Sequence, residues 1–234
     1  MARLQRTQQQ PGTYTYEQLP GLMVAADEAL FPQLFAAADF VAQMLQANGI
    51  PYAFMGGFAL KLRGSTRDTH DVDVTVECTM LRLIEVLSGQ PRILRPAGPT
   101  PGVMRVFVLV GGQFDPGVPE LWVVVDMIIG GSLGAPDHPQ TSLEVVDYNT
   151  DMVQKQFPVI DLLSSMASKL GAFYSRQGPN DYRDLTFLIT KYPEQVFAIR
   201  NQLNATQRQY FVAAFARTNT DNAIIRVKHA LGIV

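Results

Sequence analysis

The chain has 234 residues, 47% of them hydrophobic and 17% charged, with a formal net charge of −2. That is enough apolar material for one or two globular domains, and too balanced a charge for an overall polyanion-binding field. The single cysteine, Cys78, excludes a disulfide framework or a cysteine-based zinc cluster within one chain.

Arg3 and Arg6 are followed by Gln8-Gln9-Gln10-Pro11-Gly12, not by the apolar run of a signal peptide. No stretch approaches the ~18 uncharged apolar residues of a membrane span. The reading is a cytoplasmic protein in a reducing compartment, with no membrane partner. Residues 1–150 carry nine Lys/Arg against fifteen Asp/Glu, a net of −6; residues 151–234 carry ten against six, a net of +4. The asymmetry suits a metal site facing a phosphate-binding surface, or is ordinary surface scatter.

Residues 1–20 read as a loose tail, draped on the body through Tyr14 and Tyr16. Residues 29–48 predict a helix: Leu30, Leu34, Phe35, Ala38, Val41, Ala42 and Leu45 recur at three and four, and Asn48-Gly49 closes it. Ile50 to Met55 enters a first strand. Gly56-Gly57 then makes a turn where no Cβ blocks the approach of backbone N–H groups to a phosphate. Phe58 to Leu62 is a short helix, with Lys61 and Arg63 read as solvated.

Asp71 to Glu77 alternates polar and β-branched residues, so it predicts a half-buried strand. Asp71 and Asp73 then share one face, while Val72, Val74 and Val76 enter a core. Two carboxylates side by side repel unless a cation sits between them, and the natural occupant is a hard divalent ion, Mg²⁺ or Mn²⁺. Otherwise the pair is merely the wet face of the strand. Arg67, in the preceding loop, is placed to contact phosphate or brace that strand; His70 is read as packing or loop hydrogen bonding.

Residues 79–90 predict a helix, 91–102 a loop rich in Pro and Gly, Met104 to Val110 a strand, and Leu121 to Ile129 a nearly all-apolar strand. Asp126 stands inside that apolar run. If buried, it must be paired, protonated or bound to a metal; at the strand end it meets water. Leu143 to Tyr148 reads as a further strand, with a boundary near residue 150. Pro158 and Asp161 read as a helix start, with a stripe through Ile160, Leu163, Ala167, Leu170 and Phe173. Asn180 is read as the cap of the next helix, with Asp181 and Asp184 in its first turn. Two or three more helices follow over residues 193–234. Arg208, Arg217, Arg226 and Lys228 lie on this helical part, either as a plain lid or as contacts for an acceptor such as RNA.

The pattern G-G-x13-D-x-D, with Arg67-Asp68-Thr69 just before the acids, resembles the nucleotidyltransferase superfamily, the DNA polymerase β-like fold. A second string, Lys169, Arg176, Asp181, Asp184 and Leu185, resembles the branch of minimal nucleotidyltransferases and AbiEii-type toxins. The family usually has Lys or Arg where this chain has Asn180. The two strings span about two-thirds of the chain.

The resemblance implies an α+β fold: a small mixed sheet flanked by helices (21–150), followed by a C-terminal helical bundle (151–234). It implies that Asp71, Asp73 and Asp126 bind Mg²⁺ or Mn²⁺, with Asp126 as the third ligand and general base. It implies that Gly56, Gly57, Arg67, Lys169, Asp181 and Asp184 bind the nucleotide. A nucleoside monophosphate would pass from an NTP to a hydroxyl on RNA or tRNA, a protein or a small molecule. The competing expectation is a non-catalytic nucleotide-binding or scaffolding protein that keeps the fold.

Overall fold

The computed structural model describes residues 12–149 and 154–233. Most of the expected tail and the expected boundary near residue 150 lie outside them. The chain forms a mixed sheet flanked by helices, then a helical bundle. In chain order the elements are β1 (Thr13–Tyr14), α1 (Leu19–Ala26), α2 (Phe31–Ala47), β2 (Tyr52–Met55), α3 (Gly56–Leu62), β3 (Asp71–Val76), α4 (Met80–Leu87) and β4 (Ile93–Pro96). There follow β5 (Val103–Val110), β6 (Leu121–Ile129), β7 (Leu143–Asn149), β8 (Gln154–Ile160) and the helices α5 (Leu162–Arg176), α6 (Pro179–Lys191), α7 (Pro193–Ile199), α8 (Ala205–Phe215) and α9 (Asp221–Leu231).

Strand order is β1-β4-β5-β6-β3-β2-β8-β7. β3 runs parallel to β6 and antiparallel to β2; β5 pairs antiparallel with β6. Period-2 alternation divides the side chains between the two faces. Val72, Val74 and Val76 join Val106, Val108, Val123, Val125 and Met127 in the main core beneath α2. The opposite face carries Asp71, Asp73 and Asp126. One end of it is covered by α1, through Tyr14, Ala26, Phe107 and Val124 with Trp122 and Met23 packed alongside. β6 is therefore buried on both faces, which is why it reads as an unbroken apolar run.

The bundle closes over a second core of Leu170, Phe173, Leu185, Leu188, Phe211, Phe215 and Leu231, into which α3 inserts Leu60. α5 starts at Asp161, whose side chain accepts the Ser164 N–H at 2.7 Å. That cap satisfies one of the orphan donors of the first turn.

Several elements depart from the sequence reading. β1, α1, β4 and β8 were not expected, and Pro158 lies inside β8, paired with Val145, instead of starting a helix. α6 is capped by Gly178 with Pro179 at its first position, so Asn180 lies inside the first turn. Arg63 is buried, not solvated: it donates to Glu144 at 2.9 Å and to the Ile160 carbonyl at 2.8 Å. Arg208 is also buried and donates to the Leu231 carbonyl, so it is not presented to an acceptor. Among the described residues no helix is long and apolar enough to cross a membrane.

Candidate active site

Register brings the site together. Asp73 on β3 is paired directly with Asp126 on β6, and Asp126 with Arg105 on β5. Residues directly opposite in a sheet share a face, so the three side chains form one row, with Asp71 two residues along from Asp73. Asp126 is 9% exposed. Both its oxygens are engaged: Arg105 donates through Nε to Oδ1 at 2.8 Å and through Nη2 to Oδ2 at 2.6 Å. Asp71 accepts from the Thr69 hydroxyl at 3.0 Å.

β2 ends where the Gly-Gly turn meets this row. Gly56 has φ +63°, and a Cβ there would lie 1.8 Å from Asp73 Oδ2. A Cβ on Gly57 would lie 2.4 Å from Thr69 Oγ1 and 2.8 Å from Arg67 Nη2. Gly56 favours glycine by its φ as well as its contact, while at Gly57 a Cβ would have to displace the Thr69 and Arg67 side chains.

The helical part supplies a second set of charges. Asp181 and Asp184 are each 1% exposed. Arg67 grips Asp184 with Nε at 2.7 Å and Nη2 at 3.0 Å, and Lys169 Nζ lies 2.7 Å from the same carboxylate. Arg176 grips Asp181 at 2.7 and 2.9 Å, with Lys169 Nζ 3.5 Å away. Arg67 thus ties the loop before β3 to α6. The helix acids orient the cations.

Burial pushes the Asp73 carboxyl up to about 7, and the charges of Asp71 and Asp126 push the same way against Lys169 and Arg105. Burial alone would raise Asp181 too, but the hydrogen bonds from Arg176 and the charge of Lys169 outweigh it and hold it below the usual carboxylate range. The Asp126 hydrogen bond holds the Arg105 guanidinium above its ordinary value. Asp126 and Asp181 each carry an arginine fork; among the described residues Asp71 and Asp73 carry none.

The donor set of Asp71 and Asp73 is hard oxygen with unneutralised charge, which fits a divalent cation. Asp126, across from Asp73, is held by Arg105 in this structure. Among the described residues no group of three or more His, Cys, Asp or Glu is arranged to hold a metal. Beside Asp71 a cavity of about 240 Å³ opens between α1 and α6, lined by Met23, Asp27, Arg67, Thr69 and Asn180. Larger cavities of 650 and 770 Å³ contain none of the three acids.

The remaining candidates are structural. His70 Nδ1 meets the Ala29 carbonyl at 3.2 Å, and Cys78 packs on the main core. Arg105 was missed in the sequence. It is a lone base in an apolar strand, one hairpin before a lone acid in another, and that pairing was the available signal.

No family model and no curated protein matches the sequence. Solved structures do match. An antigenic nucleotidyltransferase-like protein from Paracoccidioides brasiliensis superposes with a TM-score of 0.58 at 19% identity, over 84% of this chain and 94% of that one. JHP933 from Helicobacter pylori gives 0.47 at 17%, over 87% and 92%. The antibiotic-resistance factor ANT(2'')-Ia gives 0.46 at 13%, over 80% and 92%. The chain has a nucleotidyltransferase-like, polymerase β-like fold. The first of these likenesses, at 19% identity, establishes the fold and no particular branch.

Proposed function

We propose that the protein is a nucleotidyltransferase: it moves a nucleoside monophosphate from an NTP to a hydroxyl acceptor and releases pyrophosphate. The observation that carries this is the row Asp73–Asp126, with Asp71 alongside, on a polymerase β-like sheet beneath a set of cationic side chains. Asp71 and Asp73 would hold Mg²⁺ or Mn²⁺, with Asp126 joining them. When bound, the cation neutralises triphosphate charge and lowers the pKa of an oxygen nucleophile.

The chain's own groups do the rest. Asp126, once free of Arg105, would take the proton of the acceptor hydroxyl. The backbone of Gly56 and Gly57 would approach the triphosphate without a Cβ in the way. Lys169 and Arg67, held in place by Asp184 and Asp181, add positive charge along it. The sheet, through residue 160, and the bundle, from residue 162, would form the two walls of the nucleotide cleft. The second string of residues, Lys169 to Leu185, favours the minimal nucleotidyltransferase and AbiEii-like branch. The protein would act in the cytoplasm, where NTP and Mg²⁺ are present.

The acceptor class is RNA, including tRNA, a protein, or a small hydroxylated molecule. Incubation with each α-labelled NTP, Mg²⁺ and a cell extract tests the reading. Label should enter one of these fractions, and should be lost with EDTA or in Asp73→Asn. Label that persists in Asp73→Asn, or label in no fraction, overturns it. A second reading, a non-catalytic nucleotide-binding protein, is favoured by Arg105 sitting on Asp126; it predicts nucleotide binding without transfer.

A further inference from the structure

We propose that Arg105 is a positioning residue that occupies Asp126 until the nucleotide draws it away, so that the guanidinium and the divalent cation compete for one carboxylate. The inference rests on the metal-binding reading of Asp71 and Asp73. Its basis is the geometry of the row. Arg105 takes one lone pair on each Asp126 oxygen, at 2.8 and 2.6 Å, and places a full positive charge beside Asp73. A dication approaching Asp73 therefore meets two free carboxylates and a guanidinium in place of three carboxylates.

The pair is built to exchange. Such a fork on a carboxylate is strong when sealed from solvent, but the Arg105 side chain is 39% exposed. Its remaining nitrogen, Nη1, lies 3.7 Å from the Met23 sulfur, a weak acceptor. The backbone beneath it is anchored separately from the side chain, by pairing with β6 and by the Tyr14 hydroxyl, which donates to the Arg105 carbonyl at 2.9 Å. A phosphate group entering the cleft offers Arg105 a stronger bidentate partner than the thioether, and one that Asp126 can be exchanged for. Asp126 is then released to the cation and to the acceptor hydroxyl. Nucleotide and metal would bind with positive coupling, and metal alone would bind poorly.

The test is Mn²⁺ binding followed by electron paramagnetic resonance on the full chain, stripped with EDTA and without nucleotide. Arg105→Gln should bind Mn²⁺ at least about tenfold more tightly than the wild type, since it frees Asp126. Arg105→Lys keeps the charge but cannot make the fork, and should also bind more tightly, by a smaller factor. Arg176→Gln removes a cation whose field reaches Asp73 but which pairs with Asp181, and should change the affinity less than about threefold.

The proposal is overturned if Arg105→Gln and Arg105→Lys both bind no more tightly than the wild type while Asp73→Asn abolishes binding; the metal site then stands and the competition does not. It is also overturned if Arg176→Gln gains as much as Arg105→Gln, for the effect is then through-space charge. Mn²⁺ binding that Asp73→Asn leaves unchanged in every variant overturns the metal-site reading together with this inference.

Discussion

Replacing Asp73 by Asn should stabilise the metal-free protein, by an amount that grows with pH. Burial and the neighbouring carboxylates push the native Asp73 carboxyl up from its ordinary 3.8 to about 7, so near neutral pH the folded state keeps a proton that the unfolded chain has lost. The sign follows from linkage. A carboxyl whose folded pKa is raised contributes its full stability below pH ~4, loses it as pH rises toward ~7, and loses no more above. At ~1.4 kcal/mol per pKa unit, the penalty at pH 8 is about 4 kcal/mol, and at pH 5 between 1 and 2, roughly. Asn has nearly the same shape and carries no charge, so Asp73→Asn should recover about 2–4 kcal/mol at pH 8, after allowance for the partial exposure of the site. In a chain of this length that is a rise in Tm on the order of 5–10 °C. Denaturant melts of both proteins in EDTA at pH 5 and pH 8 make the measurement. A wild type whose stability is flat across that range, or an Asp73→Asn protein no more stable than wild type at pH 8, refutes the reasoning about charge at this carboxyl.

Two further substitutions probe the parts around it. Gly56→Ala adds a Cβ 1.8 Å from Asp73 Oδ2 at φ +63°. It should cost about 1–2 kcal/mol in backbone strain alone, and abolish nucleotide binding by displacing the acid; calorimetry on the folded variant checks this. Asp184→Ala leaves Arg67 and Lys169 without their shared carboxylate in a nearly closed setting. It should destabilise by about 3–5 kcal/mol in urea, more than Asp68→Ala, whose carboxylate is 86% exposed and only meets Lys61 at 3.5 Å.

Much of the site was legible because it rests on short-range signals. Strict alternation over Asp71–Val76 placed both acids on one face, and the apolar run around Asp126 marked that residue as an acid needing a partner. The period of the apolar residues marked individual helices and strands; their assembly into a mixed sheet followed by a bundle came from the family resemblance. What was not legible depends on tertiary pairing. Nothing local says that Arg105 lies opposite Asp126, because the register of β5 on β6 fixes it. β8 escaped because Pro158 argues against a strand interior, and β7 supplies the pairing that overrides it. Arg63 and Arg208 read as surface charges because their carbonyl and carboxylate partners lie 97, 81 and 23 residues away. The phosphate role expected of Lys169, and the phosphate or bracing role expected of Arg67, say nothing of Asp184, the carboxylate on which both lie.

Titration calorimetry of a non-hydrolysable NTP into the wild type and into Asp73→Asn, each with and without Mg²⁺, tests the central claim most directly. Saturable binding by the wild type that requires Mg²⁺, and that Asp73→Asn lacks, is the predicted result. Equal binding in EDTA, equal binding by the variant, or no heat with any NTP would contradict it.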